Sequence, residues 1–279
     1  ILMVVSIASC KIAEFLWCAV RRQPHTLRDC SAAVTGLLLA LTLPVSVPYW
    51  VPVVGGFFAM IVVKGLGGGL GQNTFNPALA ARALLVLLFP AVMTRFAPVG
   101  TAISSASMSV DMVSAATPLH HMVMPELPNV SLLDAFLGNL PGSIGEVSAL
   151  ALLIGGAYLV IRKVISLRIP VAYLATVAVL TLIFNKGQDP VLWMAYNLLC
   201  GGVLLGAIFM ATDYATSPVT PLGQMVYGVG CGVLTVVFRY FGLFPEGVTY
   251  AILLMNACAW ALDRITPPRR FTSLPGGAK

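Results

Sequence analysis

Two polar stretches in an otherwise apolar chain carry the residue types that suit ligand chemistry. The first runs Gly65-Leu-Gly-Gly-Gly-Leu-Gly-Gln-Asn-Thr-Phe-Asn-Pro-Ala78. Its glycines do not keep the G-x-G-x-x-G spacing and no G-K-[ST] follows, so neither a dinucleotide turn nor a P-loop is encoded. Gln72, Asn73 and Asn76 beside Pro77 instead put amide side chains on non-helical backbone. In lipid such backbone is tolerated only where it packs on protein or lines a cavity. Two readings stand side by side: a tight turn in which Asn76 and Pro77 start a helix, and a ligand contact through Asn73 and Asn76. The second stretch is Asp111-Met-Val-Ser-Ala-Ala-Thr-Pro118. Taken alone, Ser114 and Thr117 next to Pro118 make an ordinary turn.

The ionisable residues inside or at the ends of apolar runs are Glu14, Lys64, Arg82, Asp213, Arg239 and Asp263. Such groups are costly in lipid and are functional candidates by default, although those near span ends also snorkel or orient a helix. Glu14 is the deepest. Asp213 stands beside Thr216, Ser217 and Pro218, whose oxygens suit a small cation or a second flavin. Glu14 and Asp213 are therefore the ion-pathway candidates. His120 and His121 lack a carboxylate or cysteine at ligand spacing, so no metal site is predicted and the pair reads as exposed loop. Glu126, Asp134 and Glu146 read as solvated loop charges. Of the six cysteines none forms a C-x-x-C pair, and all but Cys30 lie in apolar runs. They read as small hydrophobes, not as a cluster site or disulfide framework. No side chain is predicted to be catalytic.

The elements that must position these residues follow from composition. Of 279 residues 58% are hydrophobic and 9% charged, and the mean hydropathy is +0.93. A soluble domain carries about 25% charged residues, so this chain cannot cover a globule in water. Its long apolar runs predict helices, because backbone in lipid must bond internally. The fold class is all-α: one integral membrane domain over 1–279, a polytopic helical bundle with about nine spans. The spans are roughly 1–20, 33–47, 48–64, 79–94, 147–161, 170–185, 191–211, 222–241 and 246–263. Several are short, which predicts tilted or broken helices. The loops at 65–78 and 212–224 occupy corresponding places in two halves, the pattern of an inverted repeat. The chain opens inside an apolar run without Met and without a basic leader, which predicts a further N-terminal helix, about ten spans in a full chain.

The net charge of +6 sits in short clusters between spans. That pattern reports orientation and gives no sign of nucleic-acid binding. With Arg21, Arg22 and Arg28, then Arg162, Lys163 and Arg168, then Arg264, Arg269 and Arg270 placed in the cytoplasm, residues 95–146 form a long loop on the outer, periplasmic face. A connection of that length is usually functional. The i,i+4 glycine pairs Gly202/Gly206 and Gly228/Gly232 predict close helix packing.

The segment Asp111–Thr117 resembles the D-x-x-[ST]-G-A-T signature at which a flavin transferase joins FMN to threonine. Asp111, Ser114, Ala116 and Thr117 match it, and Ala115 stands at the usual glycine position. The surrounding chain resembles the RnfD/NqrB family of ion-translocating membrane oxidoreductases. The strings DCSAAVTGLLLALTLP (29–44), GGLGQNTFNPALAARA (68–83), FLGNLPGSIGEVSALALLIGG (136–156) and FMATDYATSPVTPLGQ (209–224) carry the resemblance, which covers nearly the whole chain. The compact length and the DRITPPRR tail (263–270) look more like the Rnf member, while Cys30 stands where glycine is common. The resemblance implies FMN bound to Thr117 by a phosphoester, with Asp111, Ser114 and Ala116 as the attachment context. It also implies a flavin pocket among the helices that involves Asn73 and Asn76 if their loop folds inward, with riboflavin as a second flavin. It further implies electron flow between ferredoxin and NAD coupled to Na⁺ or H⁺ movement, and a place in a bacterial inner membrane. The implied partners are a periplasmic flavoprotein and iron–sulfur proteins of the same Rnf-type complex. The alternative is a secondary transporter or channel without redox chemistry. A passive anchor for partner proteins would have no need of the flavin signature.

Overall fold

The computed structural model describes residues 1–22, 29–69, 71–96, 127–128, 130–186, 188–242 and 247–267. Among these, the regular structure is entirely helical, with one isolated antiparallel bridge between Pro44 and Ser143. In chain order the helices are α1 (Leu2–Arg21), α2 (Ser31–Leu41), α3 (Trp50–Phe57, continuing as a π-helix Phe58–Gly65) and α4 (Pro77–Leu88). The short helices α5 (Pro90–Met93) and α6 (Leu132–Leu137) flank the long loop. Then come α7 (Ala149–Ile161), α8 (Arg168–Ile183) and α9 (Pro190–Leu199). The last are α10 (Val203–Leu205, continuing as a π-helix Gly206–Met210), α11 (Pro221–Phe241) and α12 (Val248–Ile265).

Proline and a polar cap set three of these starts. Proline at the first helical turn gives up an N–H that has no intrahelical partner anyway. Before it, a short polar side chain accepts from the next free N–H groups. Asn76-Pro77 starts α4, Asp189-Pro190 starts α9 and Thr220-Pro221 starts α11 in this way. Ser131 and Ser148 cap α6 and α7. Ser131 Oγ also donates to Asp134, and with Asn139 it holds that exposed carboxyl below its ordinary range.

Length and composition let α1, α11 and α12 each cross a bilayer, and α9 with α10 forms a fourth crossing bent by 60°. The bend lies at Gly201 and Gly202, whose φ values of 76° and 69° are left-handed. A side chain there would be strained, which is why glycine stands at the break. Shorter apolar helices, α2, α3 with its π extension, α4, α7 and α8, complete the bundle. The chain is a polytopic helical membrane protein.

The two halves share one packing scheme. α1 packs on α2 and α3, and α3 on α4; likewise α8 packs on α9 and α11, and α11 on α12. The two sets run in opposite senses. The Lys64–Ser31 contact brings the end of the α3 π-helix to the start of α2, beside the C-terminal half of α1. Asn76 meets Met210, and Gln224 at the start of α11 meets Ser166 and Arg168 at the start of α8. So α1 ends at the face of the bundle where α8 begins. At the opposite end Trp193 Nε1 donates to Tyr240 Oη (2.7 Å), and Lys186 lies over the Tyr240 ring.

The glycine pairs divide. Gly228 and Gly232 lie against Ile169, Ala172, Tyr173 and Thr176 of α8, the close approach expected of small residues. Gly202 instead makes the helix break, and Gly206 packs on Val248 and Ile252 of α12.

Glu146 corrects its sequence assignment as a solvated loop charge: only 9% of it is exposed. The turn after α6 folds back into the bundle, where Ile144 N donates to Leu43 O (3.1 Å) and Gly145 N to Leu41 O (2.7 Å). That pairing carries the next side chain inward against the Gly202 break.

Candidate functional site: two polar loops that meet inside the bundle

The first loop is built on glycine. Gly68, Gly69 and Gly71 have φ values of 110°, 97° and 80°, so the glycine run encodes a left-handed turn. Added Cβ atoms at Gly69 and Gly71 would meet open space, which leaves that face of the loop accessible. Asn73 is buried and its Nδ2 donates to Phe75 O (3.1 Å).

Asn76 is the pivot. Its Oδ1 accepts from Ala78 N (3.0 Å) and Leu79 N (3.2 Å), the helix-start role. Its Nδ2 donates to Met210 O (3.3 Å), at the end of the second π-helix. Its backbone N–H reaches Asn256 Oδ1 (3.1 Å) once the Asn256 amide is oriented to satisfy both of its ends, with Nδ2 donating to Tyr227 Oη and Ile252 O. Tyr227 is hydrogen-bonded to Cys231. Four residues further along α11, Thr235 shares a 2.6 Å hydrogen bond with Tyr173 of α8. The spacing Tyr227, Cys231, Thr235, Arg239 is one helical face of buried polar groups. Sequence reasoning passed over Tyr227, Asn256 and this stripe, although the i,i+4 spacing was there to be read.

At the root of the first loop, Lys64 Nζ donates to Glu14 Oε1 (2.6 Å) and to Ser31 Oγ (2.7 Å). Both charged side chains are buried. Three elements, α1, α2 and the α3 π-helix, are tied there by one ammonium.

In the second loop Asp213 folds onto its own turn. Its Oδ1 accepts from Ala215 N (3.3 Å), its Oδ2 from Thr216 Oγ1 (3.4 Å). Burial raises this carboxyl's pKa above its ordinary value, while these two donors pull it back. Asp263 of α12 anchors the far side of the loop, accepting from Val219 N (3.0 Å) and Thr220 N (3.3 Å). The structure thus joins Asn76 to the second loop through Met210. It leaves Glu14 and Asp213 in separate polar groups: Glu14 with Lys64, Asp213 with its own turn.

The remaining buried cations bind backbone. Arg82 donates to Thr42 O, at the end of α2. Arg239 donates to Asn197 O, Cys200 O and Gly201 O, at the end of α9. Among the described residues no three His, Cys, Asp or Glu converge as metal ligands. Asp111, Ser114, Ala116 and Thr117, with His120 and His121, lie outside the described residues.

An Asn76→Ala variant removes the cap and the contact between the halves together. Loss of a cap alone costs about 1 kcal/mol, and stranding buried Met210 O adds about 1–3 kcal/mol. The expected result is a lower Tm in detergent, with Asn76→Asp, which keeps the capping oxygen, falling between the two. An Asn76→Ala protein that melts with the wild type would show that the contact contributes nothing.

Comparison with known proteins agrees with this architecture. The chain matches the model of the NQR2, RnfD, RnfE family over residues 1–272. It is 46% identical over 273 residues to the component lettered D of the Na(+)-translocating ferredoxin:NAD(+) oxidoreductase complex of Acetobacterium woodii, covering 97% of this chain and 81% of that one. It is 39% identical to the component of the same letter in the proton-translocating ferredoxin:NAD(+) oxidoreductase complex of Clostridium ljungdahlii, covering 96% and 82%. It is 38% identical to its namesake in the ion-translocating oxidoreductase complex of Halorhodospira halophila, covering 97% and 83%. With a match over nearly its whole length and these opposed helix sets, the chain belongs to the NQR2, RnfD, RnfE family.

Proposed function

We propose that this chain is the membrane component of an Rnf-type, ion-translocating ferredoxin:NAD oxidoreductase complex, incomplete as a catalyst by itself. The observation that carries the proposal is the 46% identity, over 97% of the chain, to a protein named for that activity. Related components are named for Na⁺ in one case and for protons in another, so either ion suits the proposal.

In this reading FMN is attached through its phosphate to Thr117, with Asp111, Ser114 and Ala116 as the context the transferase reads. The flavin supplies one-electron transfer, which no side chain of the protein offers. The 95–146 loop then faces the periplasm of a bacterial inner membrane, where a partner flavoprotein delivers or takes the electron. Iron–sulfur partners complete the chain of carriers. For a second flavin such as riboflavin, the Gly-rich loop fits in one respect: the open faces at Gly69 and Gly71 leave room for a planar ring near Asn73. Asn76 is committed to its cap and to Met210, so its role there is to hold the loop. Glu14 and Asp213 are proposed as groups along an ion path.

The second reading, a transporter without redox chemistry, draws on the bent α9–α10 crossing and the opposed helix sets. One experiment separates the two. Membrane vesicles from a strain lacking this chain are tested for ferredoxin-dependent NAD reduction, with and without the chain restored. Restored activity supports the redox complex. Vesicles that reduce NAD equally well without the chain would overturn it, and flux of a solute through the flavin-free chain would favour the transporter.

A further inference from the structure

Half-helices that end inside a membrane bundle expose carbonyl oxygens, and such ends coordinate cations in transport proteins. This chain has two, and both are occupied by its own residues. At the end of α2, Thr42 N donates to Leu38 O and Leu39 O, and Leu43 N to Ala40 O. Gly145 and Ile144 N–H groups take Leu41 O and Leu43 O, and Arg82 takes Thr42 O. At the end of α9, Cys200 N takes Tyr196 O. Arg239 takes Asn197 O (2.6 Å), Cys200 O (2.9 Å) and Gly201 O (3.2 Å), with Asn197 Oδ1 at 3.2 Å. Both guanidinium groups are buried. The inserted turn of residues 143–146 links the two ends: its backbone pairs with α2, and Glu146 lies against Gly202.

We infer that Arg82 and Arg239 are resident cations that seal the two carbonyl-lined helix ends against inorganic cations. A guanidinium keeps its charge at any physiological pH and fills several carbonyls at once. Na⁺ arriving there would have to displace it and would also meet its repulsion. The centre of this bundle is therefore closed to ions, and any path through Glu14 or Asp213 runs around it. The seal concerns permeation and holds whether or not the chain carries a flavin.

The test uses the assembled complex in liposomes with no electron donor. Passive entry of radioactive Na⁺ is measured under an imposed gradient. Cys200, buried beside Arg239, is probed in the same samples with a charged, water-soluble methanethiosulfonate reagent and located by peptide mass. The wild type is expected to be tight, with Cys200 unmodified until the protein is denatured. Arg239→Gln should raise Na⁺ entry about tenfold, the rate change given by a barrier lower by about 1.4 kcal/mol, and expose Cys200. Arg239→Lys, which keeps the charge, should stay closer to wild type. A cap that is only structural would lower Tm in Arg239→Gln without changing either readout. Should Arg239→Gln fail to assemble, Arg82→Gln takes its place with the same expectation. Ready modification of Cys200 in the wild type, or assembled glutamine variants as tight and unreactive as wild type, would overturn the inference.

Discussion

Thr117→Ala should abolish the flavin fluorescence of this chain in a denaturing gel. A flavin held by contacts alone leaves when detergent unfolds the protein, whereas a phosphoester survives. The gel therefore reads the bond itself. The expectation rests on the match of Asp111, Ser114, Ala116 and Thr117 to the attachment signature. Only Thr117 supplies the bonded oxygen, so its loss is expected to be complete and not partial. Asp111→Ala should lower the yield through the transferase, leaving a weaker band. Ala115→Gly, which restores the usual residue, should give at least the wild-type signal. The intact mass of the wild type should exceed that of Thr117→Ala by one attached FMN beyond the side-chain difference. Ferredoxin-dependent NAD reduction should fall with the fluorescence. A fluorescent band that persists in Thr117→Ala would defeat the assignment.

Lys64→Met is expected to have the largest effect on stability. Lys64 and Glu14 are 2.6 Å apart and both buried, with Ser31 as the ammonium's second partner. Removing the cation leaves a buried carboxylate without its counter-charge, at a cost of about 3–5 kcal/mol. Against a typical total of about 5–15 kcal/mol, that loss is large enough to lower Tm sharply. Glu14→Gln with Lys64→Met removes both charges and should recover most of the loss, since an apolar or neutral replacement of a buried pair is often harmless. The recovery distinguishes a stranded charge from a packing defect, which the second substitution would deepen. Equal melting of Lys64→Met and wild type, or a double variant no better than the single, would show that the pair is not the junction of α1, α2 and α3.

Much of the architecture was legible because lipid makes hydropathy decisive. Each apolar segment read from the sequence holds at least one helix, and Asn76-Pro77 starts α4 as its residue types require. The short spans foretold a broken helix, and it lies where Gly201 and Gly202 interrupt an apolar run. The run of left-handed glycines at Gly68, Gly69 and Gly71 was equally visible as a non-helical turn. The flavin assignment came from resemblance, because a threonine beside a proline has no chemical signature of its own.

Other features depend on which distant segments meet. Glu146 looks like any loop carboxylate until Gly145 pairs with Leu41 and carries it inside. Arg82 and Arg239 read as costly charges near span ends. Their partners are backbone carbonyls of α2 and α9, and a carbonyl is the same at every residue, so no sequence pattern marks it. Asn76 shows its helix-starting role locally, but its bond to Met210 joins residues 134 positions apart. By itself the sequence determined that the chain lies in a membrane, where its helices start, and which segment resembles a flavin site. Only the tertiary structure decided how the buried charges are satisfied, because hydrophobic burial acts on each segment alone while hydrogen-bond partners are chosen by the fold.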